Sequence, residues 1–405
     1  MIKVAVLGYG TVGSGVVEVI EKNKEMVNKK AGEELSIKYI LDLRDFPGDP
    51  YEDKVVHDFS KIVEDEEIKI VCETMGGVGA AYEFTKQALK KGKSVCTSNK
   101  ELVASHGPEL IALARENKCN YLFEASVGGG IPIIRPINDS LTAERIVAIT
   151  GILNGTTNYI LSKMEKEGAD FDSVLKRAQE KGYAERNPEA DVEGHDACRK
   201  IAILSSLMLG KTVDYNKIYT EGITKITSRD FDYAKQMGMS IKLLAQSKEV
   251  GDKTVAMVAP FLISAEHPLH MVNGVFNAVF VKGNMLGDSM YYGRGAGKLP
   301  TASAVVSDVI DCARHIGKAI SCFWDADEAE LLSIEDVERT FFFRVKAGNV
   351  KRVVEVFGDD AKTVKLPGET SEEAYITPSM KEKDFASKYN QLSDICVGTR
   401  IRIEG

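Results

Sequence analysis

The sequence predicts an α/β protein: a doubly wound parallel sheet, then an α+β domain, then a small C-terminal module. Three observations carry this. Short apolar runs rich in β-branched residues alternate with amphipathic stretches over residues 1–135. That alternation breaks after Pro132 and Pro136, where longer strand and helix patterns begin. From residue 335 a shorter alternation resumes and runs to the end.

The first strand is "IKVAVL" (2–7), and "GYGTVGSGVVEVIEKN" follows at once, with Val12, Val16, Val19 and Ile20 at helical spacing. Gly8, Gly10 and Gly13 therefore form G-x-G-x-x-G between a strand and a helix. Each glycine has a duty: a tight turn, a close approach of backbone to pyrophosphate, and close helix–strand packing. Thr11 and Val12 open the helix whose positive N-terminus faces the phosphates. This is a Rossmann-type dinucleotide cradle.

The next strand, "SIKYILDLRD" (36–45), ends in Asp42, Arg44 and Asp45. An acid there meets the ribose 2′-hydroxyl of NAD, and an Arg the 2′-phosphate of NADP. With both side by side the coenzyme is NADP or NAD, and Arg44 tilts the expectation toward NADP. Further units follow as strand 68–77, helix 80–92, strand 93–99, helix 107–118 and a strand-then-loop over 120–134. Ligands of such sheets lie beyond the strand carboxyl ends, where Lys100 falls in "TSNKEL".

In the second domain, "ERIVAITGILNGTTNYILSKM" (144–164) reads as a strand, an Asn-Gly turn and a helix. The helix "GHDACRKIAILSSLMLG" (194–210) is apolar on every side and so buried. Asp196 and Lys200 are i,i+4 neighbours whose stripe continues through Ile203 and Leu207. A surface ion pair is worth only about 0.3–0.5 kcal/mol, but this stripe runs inward. A Lys there lines a polar pocket, where desolvation or a second cation lowers its pKa toward catalytic use. Moving a hydride between a carbinol carbon and a nicotinamide needs a partner for the hydroxyl proton, and such a Lys is one. Glu185 is a candidate to hold an amino-acid ammonium.

Composition narrows the partners. With 52 Lys and Arg against 60 Asp and Glu, the formal charge is −8, which argues against nucleic acid. No apolar stretch is long enough to span a bilayer. The N-terminus lacks the zones of a signal peptide, and the seven cysteines contain no C-x-x-C. The expected setting is a reducing cytoplasm, with a small-molecule substrate and no membrane.

In order along the chain stand "GYGTVG", "SNKELVA" (98–104), "EASVGGGIPII" (124–134), "GILNGTTNYIL" (151–161), "GYAE…DVEGHDACRK" (182–200) and "YYGRGAGKLPTASAVVSD" (291–308). This set resembles the homoserine dehydrogenase family over residues 1–315. The resemblance implies reversible NAD(P)-dependent reduction of L-aspartate 4-semialdehyde to L-homoserine, on the route to threonine, isoleucine and methionine. It implies Lys200 as proton donor assisted by Asp196, and Lys100 near nicotinamide and substrate. Glu185 and Asp196 would hold substrate, with Asp191, Thr156 and Gly182 in the same cleft. Gly297, with Gly295, would lie against the coenzyme, and the helix from Thr301 would complete the nucleotide domain. A monovalent cation, sodium, would be held mostly by backbone oxygens at Glu124, Val127, Gly129 and Ile131. On the residues alone, "SVGGGIP" reads as a flexible loop.

The expected domains are thus 1–135, completed by about 293–320, then 136–292, then 335–405. The last segment reads as strand 340–346, helix 349–357, strands 361–366 and 372–378, helix 380–391 and strand 395–403. That β-α-β-β-α-β order suits a ferredoxin-like, ACT-like module, although "KAGN" replaces the family's usual effector turn. A structural or dimerising appendage fits the same order, and a homodimer or higher oligomer is expected. Two rival functions are another amino-acid reductase on this plan, and a non-catalytic dinucleotide-dependent sensor.

Overall fold

In the computed structural model, which describes residues 1–404, the chain forms two compact units. One comprises 1–145, 202–215 and 291–329, the other 146–201, 216–290 and 330–404. Among the described residues no helix is long and apolar enough to cross a membrane.

The first unit carries a six-stranded parallel sheet. Across it the strands run Val55–Val56, Leu35–Leu41, Ile2–Leu7, Ile68–Glu73, Ser94–Thr97 and Tyr121–Leu122. This is the classical dinucleotide order, with its reversal between the first and fourth strands in sequence. The strands are nearly all buried apolar side chains because helices cover both faces. Helix Lys298–Arg314, from the returning segment, packs against helix Thr11–Lys22. A Cβ on Gly15 would meet Ala302 Cβ and Lys298 O at 2.9 Å, so the two helices need glycine there to touch.

Some expected elements differ in extent: the strands placed at 36–45 and 68–77 end at Leu41 and Glu73. The helix placed at 107–118 runs Lys100–Glu116, through Pro108. Its start is fixed by Asn99, whose side chain accepts from Leu102 N at 3.1 Å. Gly107 packs on Trp324, which a Cβ would approach to 2.8 Å. A cap and this contact outweigh the proline's lost hydrogen bond.

The second unit is organised by one sheet. Its central strands run Phe276–Gly283, Ile146–Ile152, Met239–Val250, Lys253–Ser264, Cys396–Glu404, Glu338–Lys346, Glu372–Ile376 and Lys362–Val364. The C-terminal segment follows the expected β-α-β-β-α-β order with one addition: helices Val350–Phe357 and Glu382–Asn390 are in place, but a two-residue strand, Met380–Lys381, pairs with Glu338–Lys346 where the second helix was expected to begin. Its own core stacks Phe341, Phe343, Phe357, Tyr375 and Phe385. The segment read as a separate module is continuous with the sheet before it, because Cys396–Glu404 pairs in parallel with Lys253–Ser264.

The strand Lys253–Ser264 also takes the two-residue strand Tyr219–Thr220 on that edge, at Met257 and Val258. Pro260 falls between these two partners, so its missing N–H interrupts no ladder.

Candidate active site

At the reversal of the parallel sheet, Gly8 turns with φ +88°. A Cβ on Gly13 would lie 1.9 Å from Gly8 O and 2.8 Å from Thr74 Oγ1. Thr74 Oγ1 donates toward Leu7 O and Gly8 O at 2.9 Å, tying the fourth strand's end to the glycine turn. Gly10 precedes helix Thr11–Lys22 and has open space where a Cβ would stand. Thr11 is exposed and Val12 half-buried at that N-terminus.

Asp42 follows the second strand and accepts from Tyr9 N at 2.8 Å and Arg44 Nε at 3.0 Å. The Arg44 hydrogen bond leads in holding the Asp42 carboxyl down at about 2, against the cost of its burial. Arg44 itself is largely exposed, and its guanidinium lies over Phe46. Its Nε and Nη2 both donate to Asp42, at 3.0 and 3.1 Å, so a phosphate at this strand end would meet a planar fork already partly taken by that acid.

Glu73, beside the same reversal, escaped the sequence reading. It is fully buried at the end of its strand, accepting from Thr97 Oγ1 at 2.6 Å and Met75 N at 2.8 Å. Burial raises its carboxyl to about 7. Thr97 Oγ1 in turn accepts from Asn99 N, next to half-buried Lys100 at the first position of its helix. The signal was a lone acid closing an apolar strand, which looks the same as a solvated strand end.

Glu124, Val127, Gly129 and Ile131 lie in a closed loop of this unit. Both carboxylate oxygens of buried Glu124 are spent on backbone N–H groups of Ile133, Ile134 and Arg135, at 2.6, 2.9 and 2.7 Å. Its own N–H goes to Asp308 at 2.9 Å. A Cβ on Gly129 would sit 2.3 Å from Gly295 O, and one on Gly128 2.4 Å from Ile131 O. The segment read as flexible is instead packed to glycine limits and anchored at both ends. Gly297, with φ +120°, caps helix Lys298–Arg314.

In the second unit, Asp196 and Lys200 sit in the first turns of helix His195–Leu209. Lys200 is 8% exposed and Asp196 6%. Lys200 Nζ donates to Asp196 Oδ2 at 2.6 Å and to Leu153 O at 2.8 Å. Asn154 completes the group: its amide donates to Asp191 Oδ1 at 2.7 Å and to Asp196 Oδ2 at 2.9 Å. Its Oδ1 accepts from Thr157 N at 2.8 Å. The expected Asn-Gly turn is therefore a helix cap for Gly155–Glu167, with its amide facing the two acids. "N-G-T-T" before an apolar helix is a capping signal that could have found it.

Burial, then the Asp196 charge, raises the Asp191 carboxyl, against hydrogen bonds from Asn154 and Thr156. Thr156 Oγ1 also donates to Tyr183 O at 2.7 Å. Two acids and one ammonium joined by a fixed amide form a constellation able to hold a polar substrate and pass a proton. Glu185 stands apart from these contacts. It and Gly182 are exposed, and Glu185 O accepts from Gln179 Nε2 at 3.0 Å.

Two family patterns match the sequence: "Homoserine dehydrogenase, NAD binding domain" over residues 8–124 and "Homoserine dehydrogenase" over 132–310. The chain is 36% identical to a homoserine dehydrogenase of Bacillus subtilis, over 100% of this chain and 98% of that protein. The chain belongs to the homoserine dehydrogenase family. A homoserine dehydrogenase of Thiobacillus denitrificans has a crystal structure that superposes with TM-score 0.91 at 36% identity, covering 100% of this chain and 98% of that one. A hyperthermophilic archaeal homoserine dehydrogenase in complex with NADPH gives TM-score 0.65 at 29% identity, covering 77% of this chain and 97% of its own. The family patterns take in Gly8–Gly13, Lys100, Glu124 and Thr156–Lys200 but stop short of the C-terminal segment.

Proposed function

We propose that Lys200 is the proton-transferring group of an NAD(P)-dependent homoserine dehydrogenase, held in place by Asp196 and Asn154. The activity, interconversion of L-aspartate 4-semialdehyde and L-homoserine, follows from the family. The observation that carries the residue assignment is the buried Lys200 Nζ fixed by Asp196 Oδ2 and Leu153 O. In reduction, Lys200 gives a proton to the aldehyde oxygen of the substrate. In oxidation it takes the hydroxyl proton back. The bound nicotinamide coenzyme supplies or accepts the hydride.

Asp196 holds the ammonium and Asn154 holds Asp196, so the proton moves from a fixed point. Asp191 and Thr156 shape the polar wall, and exposed Glu185, beside Gly182, is assigned to the substrate ammonium. Lys100 belongs to the coenzyme side, at the N-terminus of its helix. Turnover of L-homoserine with either coenzyme, and its loss in Lys200→Ala, tests this reading.

Gly8, Gly10, Thr11, Val12 and Gly13 would cradle the pyrophosphate, with Gly297 beside them. We assign Arg44 to the 2′-phosphate of NADP. This gains support from its exposed, stacked position and from the archaeal relative bound to NADPH. Arg44→Ala is expected to raise KM for NADPH about tenfold and to leave KM for NADH near its original value. Equal changes for both coenzymes would remove Arg44 from coenzyme choice.

The loop 124–131 fits a monovalent cation. Its tight packing at Gly128 and Gly129 holds the loop backbone in one arrangement, which suits a hard ion that takes backbone oxygens, and the Glu124 carboxylate is engaged by three N–H groups, leaving its main-chain oxygen to serve. Replacing sodium by tetramethylammonium at constant ionic strength is expected to lower the melting temperature, and restoring sodium to reverse it. An unchanged melting curve would argue against the site.

A further inference from the structure

The C-terminal strand reaches into the segment that supports the catalytic helix. Arg400 Nη1 donates to Glu221 Oε1 at 2.9 Å, and Arg402 Nη1 to Glu221 Oε2 at 2.8 Å. Tyr219 Oη adds a third donor at 2.9 Å, beneath the Arg402 guanidinium. Arg402, 1% exposed, is locked from its other side by both oxygens of Glu382 at 2.7 and 2.8 Å. Burial works to raise the Glu221 carboxyl, but Arg400 and Arg402 together hold it below its usual range. A carboxylate clamped by two guanidiniums has one position.

That position is transmitted along the backbone. Glu221 N donates to Val258 O at 2.8 Å, and Ile223 N donates to Val192 O at 2.8 Å. Between them, a Cβ on Gly222 would lie 2.2 Å from Val192 O and 2.5 Å from Glu193 Cα, so the two backbones are in direct contact. Thr224 Oγ1 adds a bond to Glu193 Oε1 at 3.0 Å. Gly194 turns with φ +84°, and a Cβ there would meet Thr220 Cγ2 at 3.1 Å and Val258 Cγ1 at 3.2 Å. The stretch so gripped, 192–194, lies between Asp191 and Asp196 in sequence.

We infer that Glu221 is a positioning residue: clamped by Arg400 and Arg402, it fixes 192–194 and thereby the spacing of Asp191, Asp196 and Lys200. The C-terminal segment, which the family patterns do not cover, thus acts on the reaction through a carboxylate it holds rather than through contact with substrate. This rests on the assignment of Asp191, Asp196 and Lys200 above.

The test uses the full-length chain, L-homoserine and NADP⁺, comparing Glu221→Gln with Arg344→Lys. Arg344 is a second buried guanidinium of the same segment, bound to Asp230 and Glu372 and making no bond to Glu221. Glu221→Gln is expected to lower kcat/KM for homoserine about tenfold. KM for homoserine rises and the pH limb of kcat/KM moves, while KM for NADP⁺ is unchanged. Arg344→Lys is expected to lower the melting temperature but to leave homoserine KM and the pH limb in place.

A mere loss of folded protein reduces kcat and moves neither KM nor the limb. The inference fails if folded Glu221→Gln keeps the original KM and limb, or if Arg344→Lys shifts them equally. Should Glu221→Gln not fold, Arg400→Gln decides by the same readouts, since it removes one clamp from the more exposed side and leaves the Arg402–Glu382 pair intact. Lys200→Ala run in parallel separates the two readings. If it stays active, the catalytic assignment falls; if it is dead while Glu221→Gln behaves as the parent, only the positioning role falls.

Discussion

Lys200→Ala is expected to cut turnover at least about a thousandfold, the upper part of the range for losing a general acid, while NADPH still binds. Lys200 is held by Asp196 and Leu153, whereas the assigned coenzyme elements are Gly8–Gly13 and Asp42–Arg44, so a fluorescence titration with NADPH should give the parent affinity. The substitution also strips the Leu153 carbonyl and Asp196 Oδ2 of a buried donor. That costs about 1–3 kcal/mol of stability, so a melting curve must show the variant folded at assay temperature. Lys200→Arg sharpens the result. A guanidinium keeps the charge beside Asp196 but does not give up its proton near neutral pH, so it should be nearly as inactive. An active Lys200→Arg would mean that the site needs only a fixed positive charge. Parent-like turnover in Lys200→Ala would put the proton elsewhere.

Gly13→Ala should be the most damaging change in the coenzyme cradle. Its Cβ would stand 1.9 Å from Gly8 O and 2.8 Å from Thr74 Oγ1. The neighbours are backbone and a hydroxyl already bonded to that turn, so relief requires moving helix Thr11–Lys22 off the sheet. Overpacking of this kind costs about 1–3 kcal/mol or more, and the shifted helix N-terminus no longer meets the phosphates. A fall in melting temperature together with at least about tenfold weaker NADPH binding is expected. Gly10→Ala is the control: its Cβ meets nothing within 4 Å, so the fold should keep its melting temperature while the close approach to pyrophosphate is obstructed. If Gly13→Ala melts and binds like the parent, the tight turn does not constrain the site.

The catalytic group was legible only in part. Asp196 and Lys200 could be paired from their spacing because four residues return a helix to the same face. Asn154, which bridges Asp191 and Asp196, lies 42 positions from Asp196. Its "N-G" was read as a turn, since the same dipeptide serves hairpins and helix caps. Helix Lys100–Glu116 was shortened because proline normally marks a helix start; the cap at Asn99 and the Trp324 contact overruled it. The loop around Gly128 to Gly130 looked flexible because glycine frequency does not distinguish freedom from crowding.

By itself the sequence determined what short-range physics controls. Alternating strand and helix periods set the parallel α/β half, the glycine spacing set the cradle, and the C-terminal periods set the order of its strands and helices. Only the tertiary structure decided which distant groups share a site: Glu221 with Arg400 and Arg402, 179 and 181 positions away, and Glu124 with Asp308, 184 positions away. It also decided that the C-terminal strand would continue the preceding sheet. Periodicity and capping act over a few residues, whereas a buried charge finds its counterpart through packing, and nothing in its own neighbourhood names the partner.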